Sequence, residues 1–423
     1  MRTAGGTDLT AVLLCKPLRP SVNTLENLLR MILKIALTSN CQLIIIVTEN
    51  HYQRFIVDWR DRVMRMSLGL ILSMVVLVGI VLAGCGSKQT GGKGSQATTV
   101  NGVSKASGVV NIYTARNYEA DKLLFKSFEQ ETGIKVNLVE GTAEELIERL
   151  KREGTNSEAD LFLTVDGGVL NKAKKEGVLQ PLISKAVEQQ VPASLRDKDQ
   201  AWIGIATRAR ILVYANDRVK PEQLSTYEDL ATDKWKGKLL IRSSTSLYNQ
   251  SLLASIIELN GEEAASKWAK GVVANLARKP EGGDRDQVKA IAAGLGDVAI
   301  INTYYLGQMI NSADAEEVKA AEKVRVFFPN QKTNGAHVNI SGLGLTKASK
   351  NKENAIKLVE YLTSIPSQSL IASKNYEYPV NPKADKGKLL TSWGEFKAQA
   401  ISFDKLGDNN KKAIELFAQA GWK

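Results

Sequence analysis

The residues of this chain with the clearest chemical potential are two adjacent tyrosines, Tyr304 and Tyr305, in the segment GDVAIINTYYLGQ. Val298, Ala299, Ile300 and Ile301 form a continuous apolar run, the pattern of a strand buried on both faces. The two phenols therefore stand just past a strand end, where open α/β sheets place their ligand sites. Neighbours on a regular strand point to opposite faces. At an irregular strand end both oxygens could turn toward one point, and a hard trivalent cation suits such a point because hard ions favour anionic oxygen donors. The competing reading is packing, with one ring in the core and the other covering a surface.

The elements that must position such a site begin with an address label. Residues 64–84 have Arg65 as a positive start and an apolar stretch from Leu68 to Leu82, too short for a comfortable membrane span. Leu82-Ala83-Gly84-Cys85 then matches the bacterial lipoprotein signal, in which the cysteine is lipidated and becomes the first mature residue. Residues 85–108 are rich in Gly, Ser, Thr and Lys, cannot build a core, and read as a flexible tether. A secretory signal belongs at the N-terminus, so residues 1–63 read as an over-extended start, with translation beginning at Met64. The alternative is a genuine extension, whose apolar runs are broken by Arg30, Lys34 and the polar TSNCQ.

Cysteine and charge narrow the class further. Cys15 and Cys41 precede the signal, which leaves Cys85 alone in the mature chain, with no disulfide and no thiolate metal site. Nine basic and five acidic residues precede Cys85; of 56 and 45 in the whole chain, 47 and 40 remain, a net charge of +7. They are interspersed, which suits a solvated surface and not nucleic-acid binding.

About 340 mature residues exceed a single core, so two lobes are expected. The pattern is α/β. A strand over 109–113 leads to a helix over 119–132 with Gly133 as its stop. Alternating Ile134, Val136 and Leu138 follow, then a capping box at Thr142–Glu145, a helix ending near Gly154 and a strand over 160–165. That order implies parallel pairing. Asp166-Gly167-Gly168 reads as a cleft loop. Further on, a strand over 210–215, helices over 244–259 and 287–293, a returning strand over 324–328, an amphipathic helix after ISGLGL and a terminal helix over 409–420 complete the chain.

This order of elements, together with VNIYTARNYEAD, WIGIATRARILVYAND, GKLLIRSSTSLYNQSLLASII, EGGDRDQVKAIAAGLGDVAIINTYYLG and GAHVNISGLGLTKASKNKENAIKLVEYLTS followed by EYPVNP, resembles the ferric-iron-binding solute-binding proteins of bacterial ABC transporters. The resemblance covers 109–423. It implies a two-lobed periplasmic-binding-protein-like fold (type II), with crossing strands at the hinge and a ligand cleft between the lobes. It divides the chain into 109–209 (first lobe), 210–325 (second lobe), 326–382 (first lobe again) and 383–423 (C-terminal helices, second lobe). It also implies Fe(III) as transported ligand, delivery to an ABC permease with its ATPase, an extracytoplasmic location with a lipid anchor, a monomer, and no enzymatic activity.

Matched residue by residue, the resemblance makes Tyr118, Tyr248, Tyr304 and Tyr305 the metal ligands, with water or a small anion completing the shell. Relatives with a histidine before the first tyrosine have imidazole near the iron; here that position is Asn117, whose amide cannot ligate in that way. His337, the one mature histidine, reads as a hinge or core residue. Ionising one tyrosine at pH 7 costs about 4 kcal/mol and four about 16 kcal/mol, which a highly charged cation can offset. Four phenolates around Fe(III) leave one negative charge, which Arg208 or Arg116 could balance.

Other candidates are plainer. Ser243–Ser246 reads as a helix cap or anion contact, Glu281–Asp284 lacks a Walker pattern and reads as a turn plus cap, and Tyr376 and Tyr378 read as packing. A binding protein for an oxyanion, phosphonate or polyamine is the first rival reading. A hydrolase is the second, weakened by a single mature histidine and the lack of a G-x-S-x-G elbow.

Overall fold

The computed structural model describes residues 108–423; the signal, Cys85, the tether and residues 1–63 lie outside them. The chain opens with β1 (Gly108–Thr114), α1 (Glu119–Thr132), β2 (Ile134–Glu140), α2 (Ala143–Glu153) and β3 (Leu161–Thr164). β1 pairs in parallel with both β2 and β3, as the alternation of strand and helix requires. α1 stops at Gly133, which takes the left-handed conformation with φ 78°. α2 starts in the expected capping box: Glu145 N donates to Thr142 Oγ1 at 3.3 Å, and Thr142 N donates to the Glu145 carboxylate at 3.0 Å.

Asp166-Gly167-Gly168 opens a helix instead of forming a loop. In α3 (Gly167–Lys175) the Asp166 carboxylate caps Val169 N at 3.0 Å. The glycines serve close packing, since a Cβ on Gly168 would lie 2.8 Å from Gly407 N. Next come β4 (Leu179–Gln180), α4 (Lys185–Gln190) and β5 (Ile203–Ala215). β5 begins seven residues before the expected strand and is 13 residues long. Its extra length has a topological cause, given below.

The remaining elements are β6 (Leu239–Leu240), α5 (Leu247–Asn260), α6 (Glu262–Ala274), α7 (Asp284–Ala292), β7 (Val298–Asn302), α8 (Thr303–Ile310), α9 (Ala315–Glu322), β8 (Val324–Phe327), β9 (Val338–Thr346), α10 (Lys352–Thr363), α11 (Ile365–Lys374), α12 (Gly387–Ser392), α13 (Phe403–Asp408) and α14 (Asn410–Ala420). The strands run in the order β2-β1-β3-β9-β5-β7-β6, with β4 added to β9 and β8 to β5. The first half of β5 pairs antiparallel with β9, from Ile203 opposite Leu343 to Ala209 opposite Val338. Its second half pairs with β7, from Arg210 opposite Asn302 to Tyr214 opposite Val298, and with β8 on its other side. One strand thus belongs to two sheets, each carrying helices on its faces, and the handover falls between Ala209 and Arg210.

The cores follow this division. Val110, Leu124, Phe128, Leu161, Leu345, Leu358 and Ile371 bury together around the first sheet. Ile211, Val213, Val288, Ile291, Ile301, Leu306 and Met309 bury around the second. A larger cluster runs from Ile147 and Trp202 through Leu212 and Leu253 to Phe417, so α5, α6 and α14 are packed into the same apolar mass as the first-sheet residues. Among the described residues no helix is long and apolar enough to cross a membrane.

Candidate metal centre

Tyr304 and Tyr305 fall in the first turn of α8, directly after β7, so the strand end is followed by a helix start and not by an irregular loop. Helical winding separates two consecutive side chains by about 100° and not 180°, which lets both rings face one side; their centroids are 4.3 Å apart. α8 is seated by a close approach, since a Cβ on Gly307 would come within 2.5 Å of the Tyr376 Cβ. Tyr376 is therefore a packing residue, as expected, and it holds the tyrosine helix in place.

Tyr248 lies in the first turn of α5, and its ring centroid is 6.4 Å from that of Tyr305. Tyr118 precedes α1, on the far side of the cleft, with its ring 5.7 Å from that of Tyr304. Tyr118 Oη donates to Tyr304 Oη at 3.1 Å, and Tyr304 Oη donates to Tyr248 Oη at 3.0 Å. All four predicted tyrosines therefore meet, across 186 residues of sequence in the first contact and 56 in the second.

Burial decides the electrostatics of this cluster. Tyr304 is 1% exposed, while Tyr118, Tyr248 and Tyr305 are half-buried. Loss of water raises the phenols of Tyr118 and Tyr304 well above their ordinary value, and neighbouring tyrosines raise them further. Tyr305 is raised for the same reasons, burial first and Tyr248 second. Without a cation the phenols of Tyr118, Tyr304 and Tyr305 are neutral. Among the described residues no group of three or more His, Cys, Asp or Glu side chains is placed to hold a metal ion.

The arginines divide into two kinds. Arg116 stands 4.6 Å from the centre of the Tyr118 ring, but its guanidinium is fully engaged. It donates to Asp121 Oδ1 at 3.0 Å, to Ser341 Oγ at 2.7 Å and to Glu377 Oε1 at 3.0 Å. Two buried carboxylates outweigh its one charge, so Arg116 fixes the start of α1 and is not a free counter-charge for the phenols. Arg208 differs: it lies 5.5 Å from the Tyr248 ring centre, donates to the Val165 carbonyl, and has an unpartnered buried Nη1. Arg208 thus brings positive charge to the cluster, and its field opposes the upward shift at Tyr304. Asn117 does not join the cluster; it is exposed and donates to Glu140 at 2.8 Å.

Sequence reasoning missed several residues here. Arg242 stands 5.3 Å and Arg210 5.8 Å from the Tyr248 ring centre. Arg210 is buried and donates to Asp284 Oδ2 at 2.8 Å and Asn249 Oδ1 at 2.7 Å, while Asp284 also accepts from Asn302 N at 2.8 Å. This network ties α5, α7 and β7 together beneath the tyrosines. In the sequence Asp284 reads only as part of a turn plus helix cap, with no sign of its pairing to Arg210; Arg242 carries no local signal. Across the hinge, Asp166 Oδ2 accepts from Asn339 Nδ2 at 2.6 Å and from Ser251 Oγ at 2.5 Å, linking α3, β9 and α5. His337 is 2% exposed at the foot of β9, a core residue at the crossing, as expected.

The Arg116 cluster yields a prediction. Glu377→Ala removes one partner of a fully buried pair and is expected to cost about 3–5 kcal/mol. Denaturant unfolding of the iron-free protein measures it, and a loss below about 1 kcal/mol would show that the pair is not structurally required.

Residues 156–406 match the family model described as bacterial extracellular solute-binding protein. The chain belongs to that family. Iron uptake protein A1 of Synechocystis is 48% identical over 314 residues, 74% of this chain and 87% of that protein. A Trichodesmium protein (IdiA, FutA), solved in complex with iron and citrate ligands, is 48% identical with a TM-score of 0.71, covering 74% of this chain and all of that one. A ferric binding protein from Campylobacter jejuni is 42% identical, also with a TM-score of 0.71, and covers 74% of this chain and 100% of its own. The fold of this solute-binding protein is therefore the two-lobed α/β architecture expected from its sequence.

Proposed function

We propose that this solute-binding protein is an extracytoplasmic carrier of ferric iron for an ABC importer, and that the phenolates of Tyr118, Tyr248, Tyr304 and Tyr305 grip the ion. The observation that carries the reading is the chain of three phenol oxygens at 3.1 and 3.0 Å, contributed from both sides of the cleft. Relatives named for iron uptake and ferric binding support it over the length of the described domain. The carrier is not an enzyme in this reading, and it acts as a monomer.

The chemistry follows from the donor set. Fe(III) entering the cluster displaces phenol protons to solvent, and each Tyr–OH becomes Tyr–O⁻ bound to the ion. A highly charged cation stabilises phenolates that burial alone forbids. Water or a small anion fills any remaining position. Arg208 and Arg242 offset the negative charge of a four-phenolate complex. Because Tyr118 reaches the ion from the opposite lobe, binding favours the closed form, and protonation of the phenols, or one-electron reduction of the ion to Fe(II) by an external reductant, reopens it.

Metal analysis and a visible spectrum test this reading directly. Protein exposed to ferric citrate and desalted is expected to hold one iron per chain and to show a phenolate-to-iron band. A colourless, iron-free product would overturn it.

The carrier is held at the membrane surface through lipidated Cys85. Mass spectrometry of the mature N-terminus is expected to find a diacylglyceryl cysteine at position 85 and none in Cys85→Ala. An unmodified N-terminus elsewhere would remove the anchor from the proposal.

A further inference from the structure

Three consecutive residues, Asn375, Tyr376 and Glu377, connect the two halves of the tyrosine cluster without belonging to it. They follow α11 and sit with the first sheet: Ile371 is buried in its core, and Tyr378 and Thr207 exchange backbone hydrogen bonds of 2.8 and 2.9 Å. α8, which carries Tyr304 and Tyr305, sits with the second sheet, where Leu306 and Met309 are buried. A contact between these residues and α8 therefore joins the two lobes.

That contact has a steric and a polar part. Tyr376 has φ 58°, a left-handed conformation that a bulky residue keeps only where its surroundings fix it. Gly307 of α8 supplies the socket, because a Cβ there would stand 2.5 Å from the Tyr376 Cβ. The polar part runs in one direction. Arg285 Nη2 donates to Gln308 Oε1 at 2.7 Å, Gln308 Nε2 donates to Asn375 Oδ1 at 2.8 Å, and Asn375 Nδ2 donates to Glu377 Oε2 at 2.6 Å. Glu377 in turn accepts from Arg116 at 2.7 Å, and the Arg116 guanidinium lies 4.6 Å from the centre of the Tyr118 ring. Both ends are guanidinium groups, which only donate, so reversing either amide would set oxygen against oxygen. Asn375 and Glu377 are buried, so bulk water does not replace a lost partner.

We propose that Tyr376 in its Gly307 socket and Asn375 on Gln308 form a clasp between the lobes, one that holds the cleft closed and sets the rate of iron release without touching the ion. The cargo in this proposal rests on the tyrosine reading; the clasp itself is a contact between protein groups. These are positioning residues. Parting the lobes withdraws Tyr376 from its socket and breaks the Gln308–Asn375 hydrogen bond, so the closed form is favoured by contacts that the open form lacks. The clasp also passes strain from one half of the site to the other, since Glu377 steadies Arg116 beside Tyr118 while Tyr376 seats the helix of Tyr304 and Tyr305. Affinity differences among variants of one site lie mostly in dissociation, so the clasp is read in release and not in capture.

Gly307→Ala tests the socket by adding one methyl and removing no polar group. Loaded from ferric citrate, the full-length variant is expected to lose iron to a chelator about tenfold faster than the parent, with the visible band unchanged. Gln308→Met removes the polar link at similar volume and is expected to speed release by about three- to tenfold, the loss of one hydrogen bond. It keeps the test alive if Gly307→Ala folds poorly. Hydrogen exchange on the iron-free protein gives a readout that needs no metal. Each variant is expected to speed exchange at least about threefold in peptides over 118–124 and over 303–309, on both sides of the cleft, and to leave α10 (352–363) unchanged. Faster exchange confined to 303–309 would reduce the contact to local packing and overturn the proposal. So would a parent-like release rate in both folded variants. A parent that takes up no iron, with exchange still faster on both sides in the variants, would fault the iron reading and leave the clasp as a closure device.

Discussion

Tyr304→Phe is expected to bleach or shift the ferric visible band and to weaken iron binding by at least about 100-fold, more than the roughly 10–100-fold typical of losing a group that merely supports a metal ligand. Tyr304 is the centre of the cluster: its oxygen accepts from Tyr118 and donates to Tyr248. The substitution removes that oxygen and leaves nearly the same ring volume. The iron-free protein should therefore lose only the two hydrogen bonds, about 1 kcal/mol each. Tyr305→Phe should act on colour and affinity in the same direction. Tyr113→Phe is the internal control, because that phenol donates to Glu153 at 2.9 Å on the first lobe and belongs to the core. Ferric affinity from chelator competition, with the spectrum recorded alongside, reads the outcome. Native colour and affinity in both Tyr304→Phe and Tyr305→Phe would reduce the pair to packing.

Acid is expected to release the iron along a steep, multi-proton curve. In the iron-free cluster, burial holds Tyr118 and Tyr304 well above the usual phenol value and raises Tyr305 as well, so all three are protonated from pH 5 to 9. Each phenol that binds iron as phenolate must lose a proton over that range. Every such proton makes the affinity fall about tenfold for each pH unit of acidification. A slope of at least three in log affinity against pH is the expected result, measured with a chelator of known proton stoichiometry. A slope below one would mean that neutral groups, not phenols, hold the metal. For the iron-free fold the sign differs. The raised folded values mean that the stability these groups contribute is fully present below the unfolded value near 10. It is lost as pH rises through the higher folded values. Thermal melts of the iron-free protein should thus be insensitive to these tyrosines at neutral pH.

By itself the sequence determined the local elements and singled out the adjacent tyrosines as candidates. The helix over Glu119–Thr132 with its glycine stop, the Thr142–Glu145 capping box and the parallel opening strands were legible because caps and alternation act within a few residues. The phenols after Val298–Asn302 were equally legible, since an apolar run ending in Tyr-Tyr is a local pattern. Tyr118 and Tyr248 came from likeness to a family, not from spacing. Only the tertiary structure decided that Tyr118 meets Tyr304 across the cleft, because that contact depends on where two lobes close and not on any short-range period. It also decided what each arginine does. Arg116 and Arg208 look alike in sequence, yet one is locked between Asp121 and Glu377 while the other keeps a free nitrogen beside Tyr248. The length of β5 was misjudged for a related reason: its first half is strand through pairing with β9, more than 100 residues later. A strand that serves two sheets carries no single periodicity, and Gly204 and the bulge after it break the pattern further. Charges buried across such a hinge are placed by packing that the chain encodes only collectively.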